Sequence, residues 1–133
     1  MLMLTSEDKC RIVTEAILSL TGERVLTMKT YPTDDWHVRV YDTIQLQGET
    51  APPLRQAFEA KLQELIDAQP WNELRALRNE RLTETDKYTS IPDYPHPTPE
   101  SKQAWLDYRQ ALRDLPANTT DPLNPVWPEA PTP

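Results

Sequence analysis

At 133 residues and a formal net charge of -7, the chain has room for one ordinary domain or two very small ones, whose cores lean on a neighbour or a partner. The acidic balance opposes attraction to phosphate, so nucleic acid is set aside as a partner. The single cysteine, Cys10, has no internal disulfide partner and reads as a small core residue of a protein kept in a reducing cytoplasm.

Met1-Leu2-Met3-Leu4 is apolar but is broken at once by Thr5, Ser6, Glu7 and Asp8, so neither a signal-peptide core nor a membrane-spanning helix is expected, and no membrane partner. Thr5 with Asp8 forms a helix-opening capping box. Ile12, Val13, Ala16, Ile17 and Leu20 follow at helical spacing, and Gly22 is placed to stop the helix. Arg24 to Tyr31 is rich in strand formers, and Pro32-Thr33-Asp34-Asp35 is a turn cluster. Beyond the turn, Trp36, Val38, Val40, Ile44 and Leu46 fall on one parity, while His37, Arg39, Tyr41, Thr43, Gln45 and Gln47 fall on the other. This alternation predicts a second strand, bulged at Asp42, that closes a hairpin. Pro52 and Pro53 then suit a helix start, and Leu54, Ala57, Phe58, Leu62, Leu65 and Ile66 trace the helix's apolar stripe.

The chain changes character near Pro70: of its 14 prolines only Pro32, Pro52 and Pro53 come earlier. Pro70 fits the first turn of a new helix, along which Trp71, Leu74, Leu77 or Arg78, and Leu82 recur. Thr85 to Pro99 holds too much proline for a helix or a central strand and predicts an extended connector. Thr98 caps and Pro99 opens a last helix in which Trp105, Tyr108, Leu112 and Leu115 share a face, with Pro116 expected to end it. Everything after Ala117 reads as an irregular or polyproline-like tail. The expected fold class is α+β. A small N-terminal α-β-β-α unit covers residues 1–69, and a two-helix module with a Pro-rich connector and tail covers residues 70–133.

No nucleophile and base are paired by the pattern. The two histidines are His37, expected on the solvent face of a strand, and His96, between two prolines, so no catalytic residue is assigned. His96 with Asp93 and Asp86 lacks metal-ligand spacing. Gly22 and Gly48, the only glycines, cannot build a phosphate loop, so neither metal nor cofactor is expected. The arginines stand out more. Arg75, Arg78 and Arg81 repeat every third residue, and Arg109 and Arg113 are four apart. They either pair within the module, with Asp86, Asp93, Asp107 or Asp114, or clamp a partner's carbonyls and carboxylates.

The second half resembles the phage tail fibre assembly chaperone family. The resemblance rests on Trp71-Asn-Glu-Leu-Arg75-Ala-Leu-Arg78-Asn79-Glu-Arg-Leu82, on Thr85-Asp86-Lys87-Tyr88 and Pro92-Asp93-Tyr94-Pro95, on Trp105 to Pro116, and on Trp127-Pro128. It covers about residues 70 to 131, and the first seventy residues carry none. Many members place a Trp directly after the equivalent of Asp86, where this chain has Lys87-Tyr88, so the aromatic anchor falls on Tyr88. The resemblance implies a non-enzymatic protein that binds a trimeric tail fibre protein, usually near its distal C-terminal part, in the host cytoplasm while the trimer folds. It is then either released or retained in the virion. A permanent structural component of the tail or baseplate is the alternative. The candidate partner-binding residues are Trp71, Arg75, Arg78, Tyr88, Trp105, Tyr108, Arg109, Arg113 and Trp127. The N-terminal unit is expected to serve fibre attachment or self-association, its strand edge being open to a further strand.

Overall fold

Helix α1 (Ser6–Thr21) begins and ends where its terminal residues dictate. The Thr5 hydroxyl accepts from the Asp8 N–H at 3.1 Å, and the Asp8 carboxylate accepts from the Thr5 N–H at 3.0 Å, which completes the capping box. Those hydrogen bonds to Thr5, helped by Arg11, hold the Asp8 carboxyl below the usual carboxylate range. Gly22 stops the helix at φ 73°, in the left-handed region, and its N–H donates to the Leu18 carbonyl. The inward stripe is Ile12, Val13, Ala16 and Ile17; Leu20, on the same periodicity, lies in the exposed last turn. The computed structural model describes residues 4–48 and 53–132. The apolar run Met1-Leu2-Met3, the expected helix opening at Pro52 and the final Pro133 lie outside the described residues, as does the side chain of Val38.

Strand β1 (Val25–Thr27) pairs antiparallel with β2 (Gln45–Leu46), with Val25 opposite Leu46 and Thr27 opposite Gln45. Two paired strands flanked by helices agree with the expected α-β-β-α unit, but helical turns lie between the strands and the long alternating strand from Trp36 to Gln47 is not formed. Trp36–Val40 is instead a short helix, α2, continued by a 3-10 turn over Tyr41–Thr43 that contains Asp42, the residue expected to bulge a strand. The reason is a degeneracy of period. Residues four apart share a face in a strand and in a single helical turn alike, so Trp36 and Val40 point inward either way. Tyr41, expected among the polar positions, packs its ring 5.3 Å from that of Phe58 and donates its hydroxyl to the Pro53 carbonyl.

Contacts divide the chain into two compact units, residues up to Gln69 and residues from Pro70 onward. The first has a core of Ile12, Val13, Ala16, Ile17, Trp36, Val40, Phe58 and Leu62. Burying each large apolar side chain contributes roughly 1.5–3 kcal/mol relative to exposure. Lys9 is buried at its edge, with its ammonium donating to the Tyr31 carbonyl at 2.8 Å and lying over the Trp36 ring. Arg11 donates to the buried Gln69 side chain at 2.8 Å.

Helix α3 (Arg55–Glu84) runs through Pro70 instead of ending and restarting there. Proline removes one backbone donor but does not forbid helical φ, and strong helix formers lie on both sides. In the second unit a short helix, α4 (Lys87–Ser90), occupies the start of the expected connector. Its prolines begin only at Pro92, so nothing bars helix before it. Helix α5 (Pro99–Asn118) is capped by the Thr98 hydroxyl, which accepts from the Ser101 N–H, and it continues past Pro116. One lost bond in a last turn is cheap, and the Thr119 hydroxyl donates to the Leu115 carbonyl beside it. Among the described residues no helix is long and apolar enough to cross a membrane.

Candidate partner-binding site

Trp105, Tyr108 and Leu112 lie three and four residues apart on one face of α5, and the three are buried together. They pack against Leu82 at the end of α3, Tyr88 of α4 and Trp127 of the tail. Trp71 and Leu74, the partners that helical spacing offered them, lie further back along α3 and take no part in this cluster. Tyr88 stacks on Trp105 with ring centroids 3.9 Å apart and planes 10° from parallel, so the overlapping ring faces are taken out of water. Tyr94 meets the Tyr88 ring edge-on, and the His96 ring tilts against Tyr94. The His96 Nε2 lies 2.8 Å from the Tyr88 carbonyl, which can only accept, so Nε2 carries the proton. The connector's aromatic residues are thereby tied to one another.

Arg109, one turn along α5 from Trp105, is buried and points at the end of α3. It donates to the Leu82 carbonyl, to the Thr85 hydroxyl at 2.9 Å and to the Asp86 carboxylate at 2.5 Å. The Thr85 hydroxyl in turn donates to the Arg81 carbonyl at 2.8 Å. A planar fork with several donors suits this task, since the last carbonyls of a helix have no partners of their own. Of the two roles open to Arg109, the intramolecular one is what the structure holds.

The tail leaves α5 through a turn at Asp121, whose carboxylate accepts from the Asn124 side chain at 2.7 Å and the Leu123 N–H at 3.0 Å. These bonds, the Asn124 one foremost, hold that carboxyl below the usual carboxylate range. The chain then brings Trp127 to the aromatic cluster, where the Arg81 guanidinium sits 4.0 Å over its ring.

The nine candidate residues therefore separate. Tyr88, Trp105, Tyr108, Arg109 and Trp127 meet at one place. Arg78 reaches α5 by donating to the Arg113 carbonyl at 3.4 Å. The side chains of Arg75 and Arg113 are exposed, and Trp71 is half-buried outside the cluster. Arg81, Asp86, Tyr94 and His96 belong to the arrangement although none is among the nine candidates. Arg81 carried a signal in its three-residue spacing from Arg78; its meeting with Trp127, 46 positions on, carried none. Among the described residues no group of three or more His, Cys, Asp or Glu side chains is gathered as a metal site needs.

The resemblance seen between Trp71 and Trp127 is borne out by comparison. Residues 71–132 match the family model described as phage tail assembly chaperone protein. No curated protein and no solved structure matches the chain. The aromatic cluster, the Arg109 network and the tail all lie inside the matched segment, and the match supports a role in phage tail assembly.

Proposed function

We propose that this chain is an assembly chaperone for a phage tail fibre, binding the fibre protein near its distal C-terminal part and keeping it soluble while the trimer folds. The observation that carries the reading is the match of residues 71–132 to a phage tail assembly chaperone family. Physics supports the finer step. A trimeric β-rich fibre folds through slow, non-local pairing and exposes strand edges and apolar stripes that aggregate unless covered. A small acidic module whose buried aromatic cluster and Arg109 fix a frame, and which leaves Arg75, Arg113 and part of Trp127 at the surface, suits such a partner, because Trp and Arg side chains dominate interface energetics.

On this reading the chain works by binding alone, without covalent chemistry, in the host cytoplasm during assembly. The test is expression of the fibre protein with and without this chain. The fibre alone is expected to be largely insoluble or non-trimeric, and co-expression to restore soluble trimer. Equal recovery of native trimer in both cases contradicts the proposal. Equal recovery together with the chain's presence in purified particles identifies a permanent tail component instead.

A further inference from the structure

We infer that the groove between α5 and the tail is where the fibre protein docks, and that it takes an apolar segment bearing Lys or Arg. The inference rests on the chaperone reading and names the partner's chemistry at one place on the same unit. The groove measures about 490 Å³ and is lined along α5 by residues that recur at three- and four-residue steps, and across from them by the tail. Ala111, Leu115, Val126 and Trp127 form its apolar surface, and Asp107 and Asp114 stand on its α5 side.

Two features set this place apart. The first is that Val126 is 87% exposed although the residue beside it, Trp127, is packed into the aromatic cluster. The tail is held on the cluster by Trp127, and that fixing leaves a large apolar side chain of the neighbouring position facing water. The second is charge. Asp107 accepts from the Gln103 side chain and Asp114 from the Gln110 side chain, and neither carboxylate takes part in an ion pair among the described residues. They lie two helical turns apart, about 10 Å along the axis, and the whole chain is acidic. An incoming cation finds two carboxylates that lose no existing salt bridge on pairing with it, next to an apolar surface that gains by being covered. An acidic segment would be repelled at both positions. The proline-rich tail lacks the spare backbone donors of a strand, so side-chain contacts, with few ladder bonds, carry the recognition.

The experiment uses the full chain and the tail fibre protein, and reads capture of purified fibre by the immobilised chain at low and high salt. The variants are Ala111→Trp, which fills the groove, the double change Asp107→Lys with Asp114→Lys, and the milder Asp107→Asn with Asp114→Asn. All three positions are exposed, and thermal melting checks each fold. Capture is expected to fall roughly tenfold or more for the filled and charge-reversed forms, and less for the double Asn form. The unmodified chain should also lose affinity as salt rises. Unchanged capture by variants that melt normally overturns the groove and leaves the chaperone reading standing. Absence of capture by the unmodified chain overturns both. If the free chain dimerises and the double Lys form is monomeric, the groove belongs to a second copy and the inference is wrong. Should Ala111→Trp fail to fold, the double Lys and double Asn forms decide.

Discussion

The two units hold themselves together by different means. Up to Gln69 the core is mainly aliphatic: Ile12, Val13, Ala16 and Ile17 of α1 cluster with Phe58 and Leu62 of α3 and with Trp36 and Val40 of α2. Such contacts are non-directional and tolerate a range of local geometries. From Pro70 onward the packing is directional. A stacked Tyr88–Trp105 pair, a three-acceptor arginine and a cation over Trp127 each fix an orientation. The second unit holds its irregular connector and tail by specific pairings. That contrast suits a module whose surface has to be presented in one shape to a partner.

The largest expected effect lies in the first unit. Phe58 is fully buried, so Phe58→Ala is expected to cost about 3–5 kcal/mol in urea unfolding followed by far-UV circular dichroism. A cost near zero would mean that this core is not the organised one described. Next comes Arg109→Leu, which removes the bonds to Leu82, Thr85 and Asp86 and is expected to cost about 2–3 kcal/mol. The neighbouring Arg113→Leu, with an exposed side chain, is expected to stay within about 0.5 kcal/mol. Equal melting of the two variants would erase the distinction between a frame arginine and a surface one.

Smaller effects sharpen the comparison at its edges. Trp127→Ala loses a half-buried indole and its cation contact, and is expected to cost about 1–2 kcal/mol in thermal melting. No change at all would make the tail a passive appendage. Thr5→Ala removes the α1 cap, with an expected loss of about 1 kcal/mol. Asp8 gives this cap a pH dependence. Its folded carboxyl titrates below the unfolded one, so the contribution is present above about pH 4 and fades as pH falls through the folded value. Thr5→Ala should therefore matter at neutral pH and matter less in acid, as melting at the two pH values will report.

Helices were the legible part of this sequence, and the reasons are local. Thr5 with Asp8, Gly22 and Thr98-Pro99 announce ends by side-chain chemistry that needs no distant partner. The short helix at Trp36–Val40 was not legible, because five residues sample too little of either period to separate them. Proline is the less faithful marker here. Pro70 and Pro116 sit within helices, since losing one donor is tolerated where neighbouring residues keep the turn. In the candidate site, Trp105, Tyr108 and Arg109 are visible from spacing on α5, and Tyr88 only through the family resemblance around Asp86. What Arg109 bonds to was open, as Asp86 was one of several carboxylates in reach. The meeting of Arg81, Trp127 and the connector aromatics depends on long-range closure that periodicity cannot encode.

The chaperone reading stands or falls on physical association with a folding fibre. The most direct measurement is the mass of the species formed when this chain and the tail fibre protein are co-expressed, separated by size exclusion and measured by light scattering. The predicted result is a soluble complex that contains the fibre trimer together with this chain. Fibre trimer eluting at its own mass, in undiminished yield and free of this chain at every stage of assembly sampled, would contradict it.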